Sequence, residues 1–320
     1  MDRLAEGKRV FDIEIEALKK TRDALGDKFL QILDLIVMCK GKVIITGMGK
    51  PGHIAAKLAA TFASLGTPSF CLHPGEAMHG DLGMVSVNDV VIAISYSGES
   101  DEIVRILPNI KMIGATLVGI TGNPKSSLAQ ASDVVQVLPK LDEACYLGLA
   151  PTSSTTAVLC YGDALAVVAS VIYGFKDADF GKLHPAGSLG KKLILKVYDL
   201  MIEGKNNAKV HVNVPLKDAI IEISKKGLGA VSVVDNDDRL LGIITDGDLR
   251  RQLEKGADVY GMKVEEVMTS NPVVIDKEKL AIDALNLMKS KNISCLIIQE
   301  DGKVVGTIRL QDIIGVGIVG

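Results

Sequence analysis

The octet Ser95-Tyr96-Ser97-Gly98-Glu99-Ser100-Asp101-Glu102 sets three serine hydroxyls and a glycine directly behind the apolar run Val90–Ile94 and ahead of the helical pattern Ile103, Val104, Ile106, Leu107. Backbone N–H groups are free where a strand turns into a helix, and together with the hydroxyls they can receive a dianion. No lysine falls in the octet, so the expected ligand is a small sugar phosphate, without a nucleoside triphosphate or Mg²⁺. A serine-rich turn with an ordinary helix cap fits the same residues.

Upstream, Gly47-Met48-Gly49-Lys50-Pro51-Gly52-His53 formally satisfies the dinucleotide pattern G-x-G-x-x-G. That pattern also needs an acid about 20 residues on, at the tip of the second strand. The nearest acid, Glu76, instead follows His73-Pro74-Gly75 in predicted loop, and Lys50 would crowd a pyrophosphate. The dinucleotide reading is set aside. What remains is either a lysine loop for one phosphate or a polarised hydroxyl, or a glycine turn for close packing.

Three further clusters carry titratable groups. The run from His73 to Asp81 holds two histidines, His73 and His79, as pocket-lining hydrogen-bonding groups; a transient metal could bridge them, although the spacing fits no structural zinc site. Glu143 precedes Ala144-Cys145-Tyr146-Leu147-Gly148-Leu149-Ala150-Pro151 and the hydroxyls Thr152, Ser153, Ser154, which cap a long apolar helix and offer donors to a cleft. A carboxylate against such an apolar wall can have its pKa raised enough to act as a base, or it can be a solvated loop residue. His184, fixed before Pro185 and followed by Gly187 and Gly190, is either a proton shuttle or part of a turn that ends a helix.

These groups need a scaffold, and the patterning describes one. Residues 3–39 predict two amphipathic helices interrupted near Gly26. From Lys42 onward, short β-branched runs at 43–46, 70–72, 90–94, 116–120 and 134–137 alternate with helical stretches at 53–65, 102–113, 126–131 and 152–173. Strands apolar on both faces, alternating with helices, imply a doubly wound parallel α/β sheet whose ligands gather at the carboxyl ends of its strands. After Lys196 an α+β unit occurs twice with a period near 65: Asp199-Leu200-Met201 answers Glu266-Val267-Met268, and Leu241-Gly242-Ile243-Ile244 answers Val305-Gly306-Thr307-Ile308. Each copy is too small to bury both faces alone, so the two should pack together. The expected organisation is N-terminal helices at 1–40, the sheet domain at 41–196, and repeats at 197–258 and 263–320.

Composition narrows the function classes. Hydrophobic residues make up 48% of the chain, which places it far from disorder, and a net charge of −3 leaves no basic surplus for nucleic acid. The absence of Trp argues against base or sugar stacking on indole. Five cysteines with no C-x-x-C spacing fit buried free thiols in a reducing cytosol. No apolar leader opens the chain and no run of 18 uncharged apolar residues follows, so a soluble cytoplasmic protein with no membrane partner is expected.

Taken in order, Gly47-Met48-Gly49-Lys50 with Gly52-His53, His73-Pro74-Gly75-Glu76, His79-Gly80-Asp81-Leu82-Gly83, the octet, residues 147–156 and His184-Pro185 resemble the sugar isomerase (SIS) domain of D-arabinose-5-phosphate isomerases. The tandem unit resembles a pair of cystathionine-β-synthase-type (CBS) repeats, in the same order as in that family. The resemblance implies reversible interconversion of D-arabinose 5-phosphate and D-ribulose 5-phosphate through a cis-enediol(ate), feeding synthesis of 3-deoxy-D-manno-octulosonate for lipopolysaccharide or capsule. It implies catalytic positions at Lys50, Glu102, Glu143 and His184, with Ser95, Ser97, Ser100, His73, His79, Thr152, Ser153 and Ser154 binding substrate. It also implies a homotetramer that needs no cofactor, with His73 as a ligand of inhibitory zinc.

In the repeats the resemblance implies a nucleotide or sugar-nucleotide site using Thr245, Asp248 and Asp312, or a pair that serves assembly alone. Arg309 replaces the threonine in the second copy, so the two halves should differ. Pro51 and Tyr96 depart from the residues usual at their places, serine and asparagine. The competing classes are a non-catalytic sugar-phosphate sensor and an isomerase for another sugar phosphate.

Overall fold

The structure, a computed structural model, describes residues 1–185 and 187–319; Ala186 of the predicted 184–190 turn and Gly320 lie outside the described residues. Two compact units result, Met1–Phe180 and Gly181–Gly320.

The first unit opens with α1 (Arg3–Asp23) and α2 (Asp27–Val37), broken at Gly26 as the pattern requires. Strands β1 (Val43–Gly47), β2 (Ser69–Leu72), β3 (Val90–Ile94), β4 (Thr116–Thr121) and β5 (Val134–Val137) then form one sheet. Every pairing is parallel, in the order β2-β1-β3-β4-β5. Between the strands run α3 (Lys50–Ser64), the single turn α4 (Pro74–Ala77), α5 (Asp101–Ile113) and α6 (Ser127–Ala131). The long α7 (Ser153–Ile172) follows β5, and α8 (Asp177–Leu183) runs across the boundary between the units.

Alternate residues of each strand enter opposite cores, which is why the runs are apolar throughout. Val43, Ile45, Ile92 and Ile94 pack with Ile36 of α2, Phe62 of α3 and Leu165 of α7. On the other face, Ile44, Val91 and Ala93 meet Ile103, Ile106 and Ile110 of α5. Among the described residues α7 is the one helix long and apolar enough to cross a membrane, with a mean hydropathy of 1.7. Its Tyr161, Leu165 and Ala169 are buried in the sheet core and Ala157 packs with Ala17 and Leu141, while Val167, Val171 and Ile172 are exposed.

Two expectations change. Helix α3 begins at Lys50 and not at His53, because Gly49 adopts φ 65° as its cap and Pro51 occupies an early position whose N–H a helix leaves unpaired anyway. All five thiols are free, but only Cys295 is buried, where desolvation pushes its pKa up to about 11; Cys160 is exposed. Cys160 lies on the outward side of α7, which the sheet does not cover.

The second unit carries α9 (Ser188–Ile194), α10 (Val197–Leu200), β6 (Ile202–Glu203), β7 (Lys209–His211), α11 (Leu216–Lys226), β8 (Ala230–Val234), β9 (Leu240–Thr245) and α12 (Asp246–Glu254). Its second copy is α13 (Val264–Val267), β10 (Thr269–Ser270), β11 (Val274–Ile275), α14 (Ala281–Lys291), β12 (Cys295–Glu300), β13 (Lys303–Arg309) and α15 (Leu310–Gly315). The copies exchange strands: β10 of the second pairs with β9 of the first, and β6 of the first with β13 of the second. Neither sheet is complete without the other repeat. The segment 181–196 packs here too, with Lys191 donating to the Val316 carbonyl at 3.0 Å and the Ala281 amide to Leu195 O at 2.8 Å. The packing boundary at Gly181 thus precedes the sequence boundary at 196.

Candidate active site

Chain order in the first sheet reverses between β1 and β3, so the loops leaving these neighbours diverge and open a crevice at the carboxyl edge. Register fixes what lines it. Thr46 pairs with Leu72, Gly47 with Ile94, Ile94 with Ile120, and Thr121 with Val137. The loops that begin at Met48, His73, Ser95, Gly122 and Leu138 therefore leave one edge, on strands about 4.8 Å apart. Lys50, His73 and His79 are exposed there, and Glu102, on the first turn of α5, is half-buried.

Close packing accounts for two glycines of the lysine loop. A Cβ on Gly47 would lie 2.8 Å from the Pro51 carbonyl carbon, and one on Gly52 2.7 Å from Gly47 O, so strand end and helix start meet backbone to backbone. In the octet the serines bond among themselves: Ser95 Oγ lies 2.9 Å from Ser100 Oγ and accepts from the Gly98 amide at 3.1 Å, while Ser97 Oγ accepts from Glu99 N at 3.2 Å. Ser100 is the N-cap residue of α5 but its side chain makes no capping bond. The first amides of α5 are thereby left without a side-chain cap. Gly98, at φ 71°, packs against Ser126, and Glu99 accepts from the amide and hydroxyl of Ser127, both at 2.8 Å, tying the loop to α6.

Glu143 reaches the same edge as a cap of α7. Its Oε2 accepts from Thr152 N at 2.6 Å, Thr152 Oγ1 at 2.9 Å and Ser154 N at 3.4 Å. Burial raises this carboxyl's pKa, but the bonds from Ser154 and Thr152 outweigh burial and hold it below its ordinary value. Of the two expected states, neither a carboxyl raised by an apolar wall nor a solvated loop residue describes Glu143, since the capping residues Thr152 and Ser154 turn their donors onto its carboxylate. Thr152 Oγ1 also accepts from Ala144 N at 2.8 Å, and the Ser153 hydroxyl is buried without a partner. The neighbouring Cys145 thiol is held below its ordinary pKa by the amides of Ala150, Leu147, Leu149 and Gly148.

The contacts of Tyr96 and the contributions of Arg9 and Glu14 escaped the sequence reading. Tyr96 hydroxyl donates to Pro139 O at 3.3 Å and accepts from Leu141 N at 3.1 Å, linking the octet to the Glu143 loop. From α1, Arg9 donates to the Ala144 carbonyl at 2.9 Å, and Glu14 accepts from Thr156 Oγ1 at 2.8 Å. None has a local signature, because each bond spans at least 43 residues. His184 belongs to the second unit, in a turn directly after α8; its amide donates to Gly181 O at 3.2 Å and its carbonyl accepts from Gly187 N at 3.3 Å. Among the described residues no group of three or more His, Cys, Asp or Glu side chains is placed to hold a metal ion.

In the second unit Thr245 and Asp248 line a cavity of about 1280 Å³. Asp248 Oδ2 accepts from Thr245 N at 2.8 Å and Thr245 Oγ1 at 2.6 Å, while Oδ1 meets Arg251. Asp312 instead holds Arg309 through both oxygens, at 2.9 and 2.7 Å.

Known proteins share this order of domains. The SIS domain family model matches residues 36–168, and the CBS domain model matches 197–255 and 264–318. Arabinose 5-phosphate isomerase KdsD of Escherichia coli K12 is 46% identical over 313 residues, covering 98% of this chain and 95% of the relative. The KdsD of Pseudomonas aeruginosa is 43% identical over 320 residues, 100% and 98% of the two chains. A solved structure of Escherichia coli CFT073 c3406 in complex with A5P superimposes with a TM-score of 0.56 at 46% identity, covering 57% of this chain and 98% of that one.

Proposed function

This chain belongs to the family of arabinose 5-phosphate isomerases in which a SIS domain precedes a CBS pair, and we propose that it interconverts D-arabinose 5-phosphate and D-ribulose 5-phosphate, supplying 3-deoxy-D-manno-octulosonate synthesis. One observation carries the reading: the Lys50 ammonium and the hydroxyls and amides at the start of α5 flank the switch point between β1 and β3, and the Glu143 carboxylate follows β5 on the same edge of the sheet.

In this reading the substrate phosphate seats on the α5 amides with Ser95, Ser97 and Ser100, and the sugar extends toward Glu143. His184 opens the ring. With Oε2 tied to α7, Oε1 of Glu143 takes the proton from C2 of the aldose, and the electron pair passes into O1, whose charge Lys50 stabilises. O1 gains a proton as O2 loses one through His184, and Glu143 returns its proton to C1. Atoms balance, with one proton moved between carbons and one between oxygens. Glu102 orients Lys50, while His73, His79, Thr152, Ser153 and Ser154 bind the sugar hydroxyls.

Zinc at His73 would inhibit by occupying this rim. The exposed Phe11 of α1 and Val167, Val171 and Ile172 of α7 suit burial in a cytoplasmic homotetramer. The CBS pair takes a nucleotide or sugar nucleotide, with Asp248 accepting from ribose hydroxyls.

The test is conversion of D-arabinose 5-phosphate to ketose without added metal, run beside glucosamine 6-phosphate and fructose 6-phosphate. Turnover confined to the pentose ester is expected. No turnover by a folded protein, or preference for a hexose ester, would overturn the assignment.

A further inference from the structure

The two repeats present the same acid in different states. Asp248 and Asp312 occupy equivalent places, three residues into the turn after the last strand of each copy, yet only Asp248 is among the residues that line the cavity. The difference traces to one position, Thr245 in the first copy and Arg309 in the second. Thr245 takes a single oxygen of its acid, Oδ2, and the other oxygen meets Arg251, whose side chain is 62% exposed and can swing into water. Asp248 can therefore release Oδ1 to accept from a vicinal diol.

Asp312 has no such freedom. Nε and the terminal NH2 of Arg309 hold its two oxygens, and both side chains are 18% exposed. The remaining fork is used as well: the other terminal nitrogen donates to Gly227 O of the first copy at 2.9 Å, and the Gln311 amide, turned with its oxygen toward the guanidinium, accepts at 2.6 and 3.1 Å. A bidentate, largely buried arginine–carboxylate pair is planar, directional and costly to separate, since breaking it leaves a charge without its partner. Space does not impose the limit, because about 1280 Å³ exceeds the roughly 300–1000 Å³ of a typical small-molecule site.

We propose that the CBS pair binds one nucleotide per chain, with its diol on Asp248, because Arg309 occupies the acid of the second half-site and closes it to a second ligand. The inference rests on the nucleotide reading of the pair and adds its stoichiometry and its asymmetry. Lys289 and Arg251 line the same cavity and face the ligand's phosphate, so Arg251 trades its contact with Asp248 for one with the incoming anion.

Calorimetric titration of the full chain with AMP and with ATP tests this. One equivalent per chain is expected, with affinity lowered at least tenfold by Asp248→Asn and changed less than threefold by Asp312→Asn. Arg309→Thr, which restores the residue of the first copy, should admit a second equivalent; Arg309→Lys, which keeps the charge and loses the fork, substitutes where the threonine variant fails to fold. Two equivalents in the unaltered chain, or equal losses from the two aspartate variants, would overturn the one-site inference while leaving the nucleotide reading intact. Absence of binding by both nucleotides to both the unaltered chain and Arg309→Thr would overturn that reading and the inference with it.

Discussion

The phenol of Tyr96 accepts a hydrogen bond from the amide of Leu141 at 3.1 Å, joining the serine loop to the segment that delivers Glu143. The same oxygen donates to Pro139 O, and the Tyr96 carbonyl accepts from Gly122 N at 2.8 Å and Thr121 Oγ1 at 3.1 Å. Three loops at the carboxyl edge thus share one residue. The serine loop and the Glu143 segment are thereby tied to each other through Tyr96.

Tyr96→Phe keeps the ring packed beside Ala157 and Leu141 and removes only the hydroxyl. The expected result is a fall in kcat of about tenfold, equivalent to roughly 1.4 kcal/mol, with KM changed less than twofold. Steady-state kinetics decide it: a raised KM at unchanged kcat would mean that Tyr96 serves phosphate binding alone.

Glu143→Gln should lower kcat by about 10²–10⁴, the range for losing a positioned base, with the fold preserved. Because hydrogen bonds hold the native carboxyl below its ordinary value, it stays ionised at neutral pH, and an acid limb near pH 6 in the rate profile belongs to another group. The depressed pKa also sets the sign of the stability effect. Its contribution is present above the unfolded pKa and is lost as pH falls through the folded one. The stability gap between the native chain and the variant, about 1 kcal/mol at pH 7 for a lost cap, should close as pH drops below about 4 in denaturant titrations.

Gly98→Ala places a Cβ against the Ser126 hydroxyl on a backbone at φ 71°, where an L side chain is strained. KM for the sugar phosphate should rise at least tenfold as the serine loop shifts. A KM equal to that of the unaltered chain would separate the octet from phosphate binding.

Asp89 stands at the opposite edge of the sheet, its side chain fully buried, and accepts from Lys42 N at 2.8 Å and Ser86 N at 2.7 Å. Burial raises its pKa, but the bonds from Lys42 and Ser86 prevail and lower it. Asp89→Ala leaves buried donors unpaired and should cost about 1–3 kcal/mol with native kinetics in the folded fraction. That cost should shrink as pH falls through the folded pKa, below the ordinary 3.9 or so of an aspartate. A chemical melt at pH 7 and pH 3 measures the difference.

Short-range patterning carried the scaffold. Alternation of residues such as Ile44 and Ile45 into two cores makes each strand apolar throughout, and that texture is visible within a few residues of chain. The matched words around Met201 and Met268 exposed the tandem repeat, but not that its copies exchange β6 and β10, because pairing across copies leaves no mark on either one. The serine octet and Lys50 were legible as a loop and a charge at strand ends.

The chemical state of the site is a different matter. Residues 144–151 describe an apolar flank to Glu143, and only the folded chain brings the Thr152 and Ser154 amides onto its Oε2 and reverses the direction of its pKa. Tyr96 was visible as an unusual residue, while its partner Leu141 lies 45 positions away. Hydrophobic periodicity is set by neighbours along the chain, so the sequence alone determined the layers, the repeats and the types of group at the strand ends. Hydrogen bonds between distant loops depend on how those layers stack, so tertiary structure alone decided which groups touch, in which direction the Glu143 carboxyl is shifted, and that Arg309 grips both oxygens of the second acid.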